Sequence, residues 1–202
     1  MADWNKRYLE TGERLFGENP NEYVREVMAR SDVNISSALM IADGDGRNGA
    51  WLAAQGIQVT AVDISDVATE QALEHDDAMG VTVERIAADL ETWAPDAGRT
   101  FDAAFMIYLQ CETAVRQRAV EIAARALNPN GWFVAEGFAT GDDGSGELGP
   151  GKDDLLYDPE GLLSALPDMR IVHALSGRVH LDEGVKHRGT GWVFRLLARR
   201  NG

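Results

Sequence analysis

Residues 38–56 read ALMIADGDGRNGAWLAAQG and run straight into IQVTAVDIS at 57–65. The first five letters are an apolar strand. GDGRNG is a glycine turn, AWLAAQ the body of a helix, and QVTAV a second strand with Asp63 at its end. This is half of a nucleotide-binding βαβ unit. Asp63 follows Gly44 by about 20 residues, the separation at which such units place the acid that holds a ribose. The stretch therefore predicts a doubly wound α/β fold with a ribose-bearing cofactor at the carboxyl ends of its strands.

Composition sets the frame around that motif. At 202 residues, 45% hydrophobic and 26% charged, the chain reads as one globular domain, residues 1–202, with enough length for a substantial core. No apolar run approaches the roughly 20 residues that span a bilayer, and the opening MADWNKRYLETGERLFG lacks an apolar leader. The one cysteine, Cys111, excludes an internal disulfide framework and fits a reducing cytoplasm. It reads as a small buried hydrophobe rather than a nucleophile. No Cys/His set has zinc spacing, so no metal is expected. A net charge of −14 opposes nucleic-acid binding. It leaves a local basic patch at Lys186, His187, Arg188, Arg195, Arg199 and Arg200 as the exception. Oligomeric state is not legible.

Strands and helices alternate, which predicts a mainly parallel sheet covered on both faces. Strands are expected at Ser37–Ile41, Gln58–Val62, Val81–Ala87, Asp102–Ile107 and Trp132–Glu136. Helices are expected at Asn48–Gln55, at Val67–Met79 with Asp66 as its cap, and at Thr113–Leu127, closed by NPNG. Residues 137–152 carry six glycines and read as a loop or lid. A short helix at Pro159–Ala165 precedes two strand-like segments, Met169–Leu181 and Gly191–Arg199. DEGVKHRGT between them predicts an antiparallel hairpin on the edge of the sheet. Residues 1–30 form a helical cover segment.

The charges on the turn choose between cofactors. Gly44, Gly46 and Gly49 match the dinucleotide spacing, but Asp43 and Asp45 flank them. A pyrophosphate wants bare backbone N–H groups there, and like charges about 4–6 Å apart repel by on the order of a kcal/mol or more. S-adenosylmethionine carries no phosphate and presents a sulfonium and an ammonium, which suit an acidic turn. The same reading makes Asp63 the acceptor for the ribose hydroxyls. Ile64 lies on the adenine face, Asp89 accepts from the adenine amino group, and the Leu90 N–H meets a ring nitrogen. Gly44, Gly46 and Asn48 of the turn, Asp43 beside it, and Ile107 at the end of strand four complete the cofactor set.

With these residues in place the chain resembles the class I S-adenosylmethionine-dependent methyltransferases, and among them the small bacterial tellurite-resistance and thiopurine methyltransferase-like group. WNKRY, RLFGENPNEYV, GDGRNGAWLA, VTAVDIS, AADLETW, ARALNPNGWFVAEGF, GPGKDDLLYDPEGL and EGVKHRGTGWVFRLLARR carry the likeness across nearly the whole chain. It implies a Rossmann-like seven-stranded sheet whose last strand is antiparallel. It also implies methyl transfer to a small-molecule nucleophile, a thiol or a selenium or tellurium oxyanion. Met40 stands where such proteins usually have an acid, and Ala42 where they usually have glycine.

In the tellurite-resistance group a His-Arg pair and an arginine seven residues on handle substrate, which the likeness carries to His187, Arg188 and Arg195. An imidazole and two guanidinium groups are suited to hold an oxyanion, and His187 is placed to take a proton near neutral pH. Tyr108, just after strand four, is the candidate lining of the methyl site. In the N-terminal segment Trp4 and Tyr8 read as packing residues, and Phe16 as the cofactor contact. The substrate pocket is expected between the N-terminal segment, the loop after strand four and the C-terminal hairpin. His75, His173 and His180 have no comparable setting. Two alternatives stay open: an NAD-type oxidoreductase, and a weakened S-adenosylmethionine-binding protein without catalysis.

Overall fold

The computed structural model describes residues 3–10, 14–141 and 147–202. The expected glycine-rich loop at 137–152 falls partly outside them, at 142–146. Seven strands form one sheet: β1 Ser37–Ile41, β2 Gln58–Asp63, β3 Glu84–Ala87, β4 Phe101–Ile107, β5 Leu127–Phe138, β6 Met169–Glu183 and β7 His187–Arg200. Their order is β3-β2-β1-β4-β5-β7-β6. Strands β3 to β5 are parallel, and β7 runs antiparallel to both β5 and β6. The chain winds outward from β1 in both directions, so a crevice opens where β1 meets β4, as in other open α/β sheets.

Alternation along the strands divides the core in two. Leu39, Ile41, Met106 and Phe133 face one side, where α5 (Thr113–Ala126) covers them with Ala119, Val120, Ile122 and Ala123. Ala38, Met40, Phe105 and Val134 face the other, packed on Tyr23, Val24 and Val27 of α2 (Glu22–Met28) and Leu52 of α3 (Arg47–Ala54). Met40 is 1% exposed within that apolar layer. The position expected to lack a site acid is therefore a packing position. Helix α1 (Trp4–Glu10) sits against α4 (Asp66–Met79) through Tyr8 and Ala68, and Gln71 donates to the Tyr8 carbonyl at 3.3 Å.

Several boundaries differ from the sequence reading. Ser65, not Asp66, caps α4: its hydroxyl accepts from the Ala68 N–H at 3.0 Å, and Asp66 is the first helical residue. The third strand is shorter than expected, because residues 81–83 lie outside the ladder with β2. NPNG ends α5 as predicted but belongs to β5 as a register shift, with Asn130 at φ +64°. The connection DEGVKHRGT is mostly strand. Asp182 pairs with Arg188 and Glu183 with His187, leaving residues 184–186 as the turn.

Candidate cofactor and acceptor site

The chain leaves β1 at Ile41 and folds back over β2, the Ala42 N–H donating to the Val62 carbonyl at 2.8 Å. The turn needs left-handed backbone at Ala42 (φ +57°), Gly44 (φ +58°) and Gly46 (φ +87°). At Gly46 glycine is required twice over. A Cβ there would fall 2.6 Å from Arg85 Nη2 and 2.7 Å from Ala72 Cβ. At Ala42 the side chain is tolerated at a strain cost of about 1–2 kcal/mol.

Asp63 closes the turn from β2. Its two oxygens accept from the Gly44 N–H at 2.8 Å and the Ser65 N–H at 2.9 Å. Burial raises its carboxyl above the usual range, against the lowering effect of those bonds. A carboxylate has about four lone-pair sites; with the Ile64 N–H also acting on it, acceptor capacity still remains for a hydroxyl group. Around it lies a cleft lined by Trp4, Phe16, Ala42, Asp63, Ile64 and Ile107. Past Asp63 and Ile64 the cleft continues into a more apolar recess lined by Asp89, Leu90, Leu109, Cys111 and Val115. The expected ribose and adenine residues thus converge on one crevice at the carboxyl ends of β1, β2 and β4. Cys111 borders the recess, and burial pushes its thiol up to about 12.

The two acids of the turn are engaged by the protein itself. Asp43 accepts from the Gly49 N–H at 3.2 Å with both oxygens and from Arg85 Nη1 at 2.5 Å. Arg85 turns its other face to Asp76, at 2.9 and 2.8 Å. Burial pushes the Asp43 carboxyl up to about 6 against the pull of Arg85. Asp45 pairs with Arg14 at 3.2 Å. The acidic turn, expected to suit a sulfonium and an ammonium, is therefore largely neutralised by Arg85 and Arg14. The amino end of α3, where a dinucleotide would rest its pyrophosphate, is filled by the carboxylate of Asp43. Arg85 was missed by the sequence reading. Its one signal is parity: in VERIA it shares the inward side with Val83.

Arg47 and Asn48 hold the cover in place. Asn48 Oδ1 accepts from the Asn21 N–H at 2.8 Å. Arg47 donates to the Phe16 carbonyl at 2.7 Å and to Glu183 at 2.8 Å, and Asn21 joins Glu183 to the buried Glu136. Phe16 is thereby fixed over the crevice.

His187, Arg188 and Arg195 do not converge. On β7, Arg188 and His187 are adjacent and face opposite sides. Arg188 is exposed, 3.4 Å from Asp182, in a groove with Arg14 and His75. Arg195 is bound to Glu136 at 2.5 Å and Glu26 at 3.3 Å, stacked on Tyr23. Arg199 donates to the Asn130 carbonyl, and Arg200 to that of Leu127, so these two members of the expected basic patch are engaged by the backbone of β5. Of His187, Arg188 and Arg195, His187 alone reaches the site. Its ring is surrounded by Tyr108 at 4.1 Å, Phe16 at 4.9 Å and Phe138 at 5.3 Å. Burial, with Arg47 adding to it, pushes its imidazole down to about 4. It is neutral at neutral pH, which corrects the expectation of a proton acceptor tuned to that range.

Tyr108 stands at φ +53°, its N–H held by the Glu136 carbonyl at 2.6 Å. It divides the crevice beside Asp63 from a second cavity of about 420 Å³ lined by Trp4, Arg7, Phe16, Phe138, Lys186 and His187. This cavity lies where the N-terminal segment, the loop after β4 and the hairpin meet. Burial, and the negative charges of Glu136 and Glu183, raise the Tyr108 phenol well above its ordinary value. Strained backbone at the boundary of two pockets is a recurrent mark of functional sites.

Residues 38–131, from β1 into β5, match the family described as a methyltransferase domain. No curated protein matches the chain by sequence. Among solved structures it is similar to the N-methyltransferase NodS from Bradyrhizobium japonicum in complex with S-adenosyl-L-homocysteine, at 16% identity over 98% of this chain and 96% of that one, TM-score 0.71. It is similar to TehB from Haemophilus influenzae, at 15% identity over 89% and 62%, TM-score 0.72. The [4+2]-cyclase SpnF shares the fold at 17% identity over 98% and 93%, TM-score 0.70. The glycine turn, Asp63 and the strand ends of the crevice thus lie within the part that matches a methyltransferase domain, and the chain shares the fold of the structures it is similar to.

Proposed function

We propose that the protein is an S-adenosylmethionine-dependent methyltransferase acting on a small molecule. One observation carries the reading: Asp63, with acceptor capacity to spare, sits between the glycine turn and an apolar recess closed by Asp89, while Asp43 fills the phosphate seat at α3. That arrangement suits an adenosine without a pyrophosphate. Asp63 holds the ribose hydroxyls, Ile64 and Leu90 bracket the adenine with Asp89 at its amino group, and Phe16, Gly44 and Ile107 border the rest. The bound cofactor supplies an activated methyl group. The protein orients the nucleophile in line and excludes water.

Tyr108 and His187 face the junction with the second cavity. His187 is neutral and weakly basic and the Tyr108 phenol is held protonated, so neither is a strong base there. The acceptor must bring its own lone pair, as a thiolate or another soft atom does. A thiol fits this better than a selenium or tellurium oxyanion, because Arg188 and Arg195 are turned elsewhere. The match of the methyltransferase domain and the NodS complex support the cofactor assignment. The cyclase with the same fold shows why the chemistry must be tested on this chain.

The test is Asp63→Asn, with folding checked by circular dichroism. Hydrogen bonds to a charged group contribute about 1.5–3 kcal/mol each, so affinity for S-adenosylhomocysteine should fall about tenfold to a hundredfold or more. Unchanged affinity in a folded variant overturns the assignment.

A further inference from the structure

The sheet ends on two very different edges. β3 is four residues long, and its Glu84 and Arg85 are tied to Arg99, Asp43 and Asp76. β6, at the other end of the order, is 15 residues long, and among the described residues it is laddered to β7 only. The backbone of β7 fixes which way β6 faces. Thr190 and Trp192 turn their carbonyls away from β6, to the N–H groups of Glu147, Leu148 and Ala139. In an antiparallel ladder, directly opposite residues exchange both bonds or neither. The residues opposite them, His180 and Arg178, therefore turn their N–H and C=O groups off the sheet. At the strand period of two, so do Ser176 and Ala174.

Native sheets blunt such an edge with lysine, proline, a bulge or a covering element. Met169–Glu183 contains no lysine and no proline, and its bulge, between Ile171 and His173, sits near one end. Four consecutive residues, 173–176, are exposed, so neither face of the strand is covered there. Two large apolar side chains lie open, Ile171 at 41% and Leu175 at 37%. Gly141 and Glu147 lie against Trp192 and Thr190, opposite Arg178 and His180 and away from residues 170–175. The strand is also polarised in charge. Arg170 stands near its start, opposite the like charge of Arg199, and Asp182 near its end. Asp182 meets Arg188 at 3.4 Å, but with side chains 76% and 71% exposed that pair holds it weakly. Formal charges along the 15 residues cancel, in a chain of net charge −14.

We infer that β6 is a dimerisation edge whose partner is a second copy of this chain, paired antiparallel through the same strand about a two-fold axis near Ser176. A two-fold interface uses one patch on both copies. Ser176 is halfway between Arg170 and Asp182, so this pairing brings the Arg170 end of each strand to the Asp182 end of the other. The reverse orientation sets Arg170 against Arg170, which is unfavourable across a ladder. The backbone groups of Ala174 and Ser176 gain partners, the two Leu175 side chains meet beside the axis, and the two seven-stranded sheets run on as one. Two chains this acidic repel over most of their surface; β6 is a stretch where they do not.

The experiment is sedimentation velocity on the full chain from about 1 to 100 μM, with Ala174→Pro, Arg170→Glu and the double variant Arg170→Glu/Asp182→Lys. Proline is tolerated where an edge N–H faces outward, and it removes the donor a partner strand needs. The native chain should sediment as two chains at the upper end of the range, and Ala174→Pro as one throughout. Arg170→Glu should raise the dimer dissociation constant about threefold to tenfold, since two exposed pairs turn repulsive. Adding Asp182→Lys should restore it. Circular dichroism and the urea midpoint check that each variant is folded, and the charge swap decides the matter should Ala174→Pro fail to fold. A native chain of single mass throughout, a dimer indifferent to Arg170→Glu, or a double variant no tighter than Arg170→Glu alone overturns the inference.

Discussion

Removing Arg85 is the most informative perturbation of the fold. Its guanidinium spans two buried carboxylates, Asp43 at 2.5 Å and Asp76 at 2.8 Å, with all three side chains no more than 4% exposed. Arg85→Met keeps the aliphatic stem and leaves two buried acids without a counter-charge. Breaking a buried pair in this way costs about 3–5 kcal/mol. Native domains carry about 5–15 kcal/mol in all, so the variant should still fold, with a greatly reduced urea midpoint at pH 8.

Acid gives the prediction a second, independent arm. The folded Asp43 carboxyl is already raised to about 6, and Arg85 is among the groups that lower it. A carboxyl raised above its unfolded value makes the native state bind the proton more tightly than the unfolded chain. Stability from that group is present at low pH and lost as pH rises through the folded value. Without Arg85 that value rises further, so the deficit of Arg85→Met should be largest at pH 8 and shrink toward pH 5. Combining Arg85→Met with Asp43→Asn and Asp76→Asn should recover part of the loss, since removing all partners strands no charge. A loss below about 1 kcal/mol at pH 8, or a deficit equal at pH 5 and pH 8, would refute the claim that the triad neutralises the turn.

The His187 imidazole, depressed to about 4, should show no titration between pH 5.5 and 8 by NMR. Because the unfolded histidine protonates near 6.5 and the folded one does not, it contributes stability that is lost as pH falls from about 6.5 toward 4. His187→Leu should flatten that part of the pH–stability curve, and a folded-state titration near 6.5 would sink the argument. Ala42→Gly should relieve left-handed strain of about 1–2 kcal/mol, offset by about 0.4–1 kcal/mol of added unfolded-state entropy. The expected result is a higher melting temperature, and a lower one would show that the Ala42 methyl packs better than it strains.

Much of the fold was readable because its signals are local. The β1 strand matches the sequence reading at both ends, since an apolar run bounded by turn residues has one interpretation. The same holds for the placement of Asp63, at the end of a strand and bonded to the glycine turn. What depended on distant partners was not readable. Asp43 looks like a ligand group until Arg85, on β3, is seen to claim it. Arg195 looks like an anion holder until Glu136 and Glu26 meet it across the sheet. His187 and Arg188 are neighbours in sequence, but on a strand neighbours point to opposite faces. Reading 182–190 as a loop hid that separation. Lys186 appeared only as one member of a basic cluster, and its position at a cavity rim depends on the turn that isolates it.

The central claim is tested most directly by calorimetric titration of the purified protein with S-adenosylmethionine, S-adenosylhomocysteine and NAD. The structure predicts saturable binding of both adenosyl compounds at one site, abolished or sharply weakened in Asp63→Asn, and no heat with NAD. Saturable binding of NAD with neither adenosyl compound binding would contradict it.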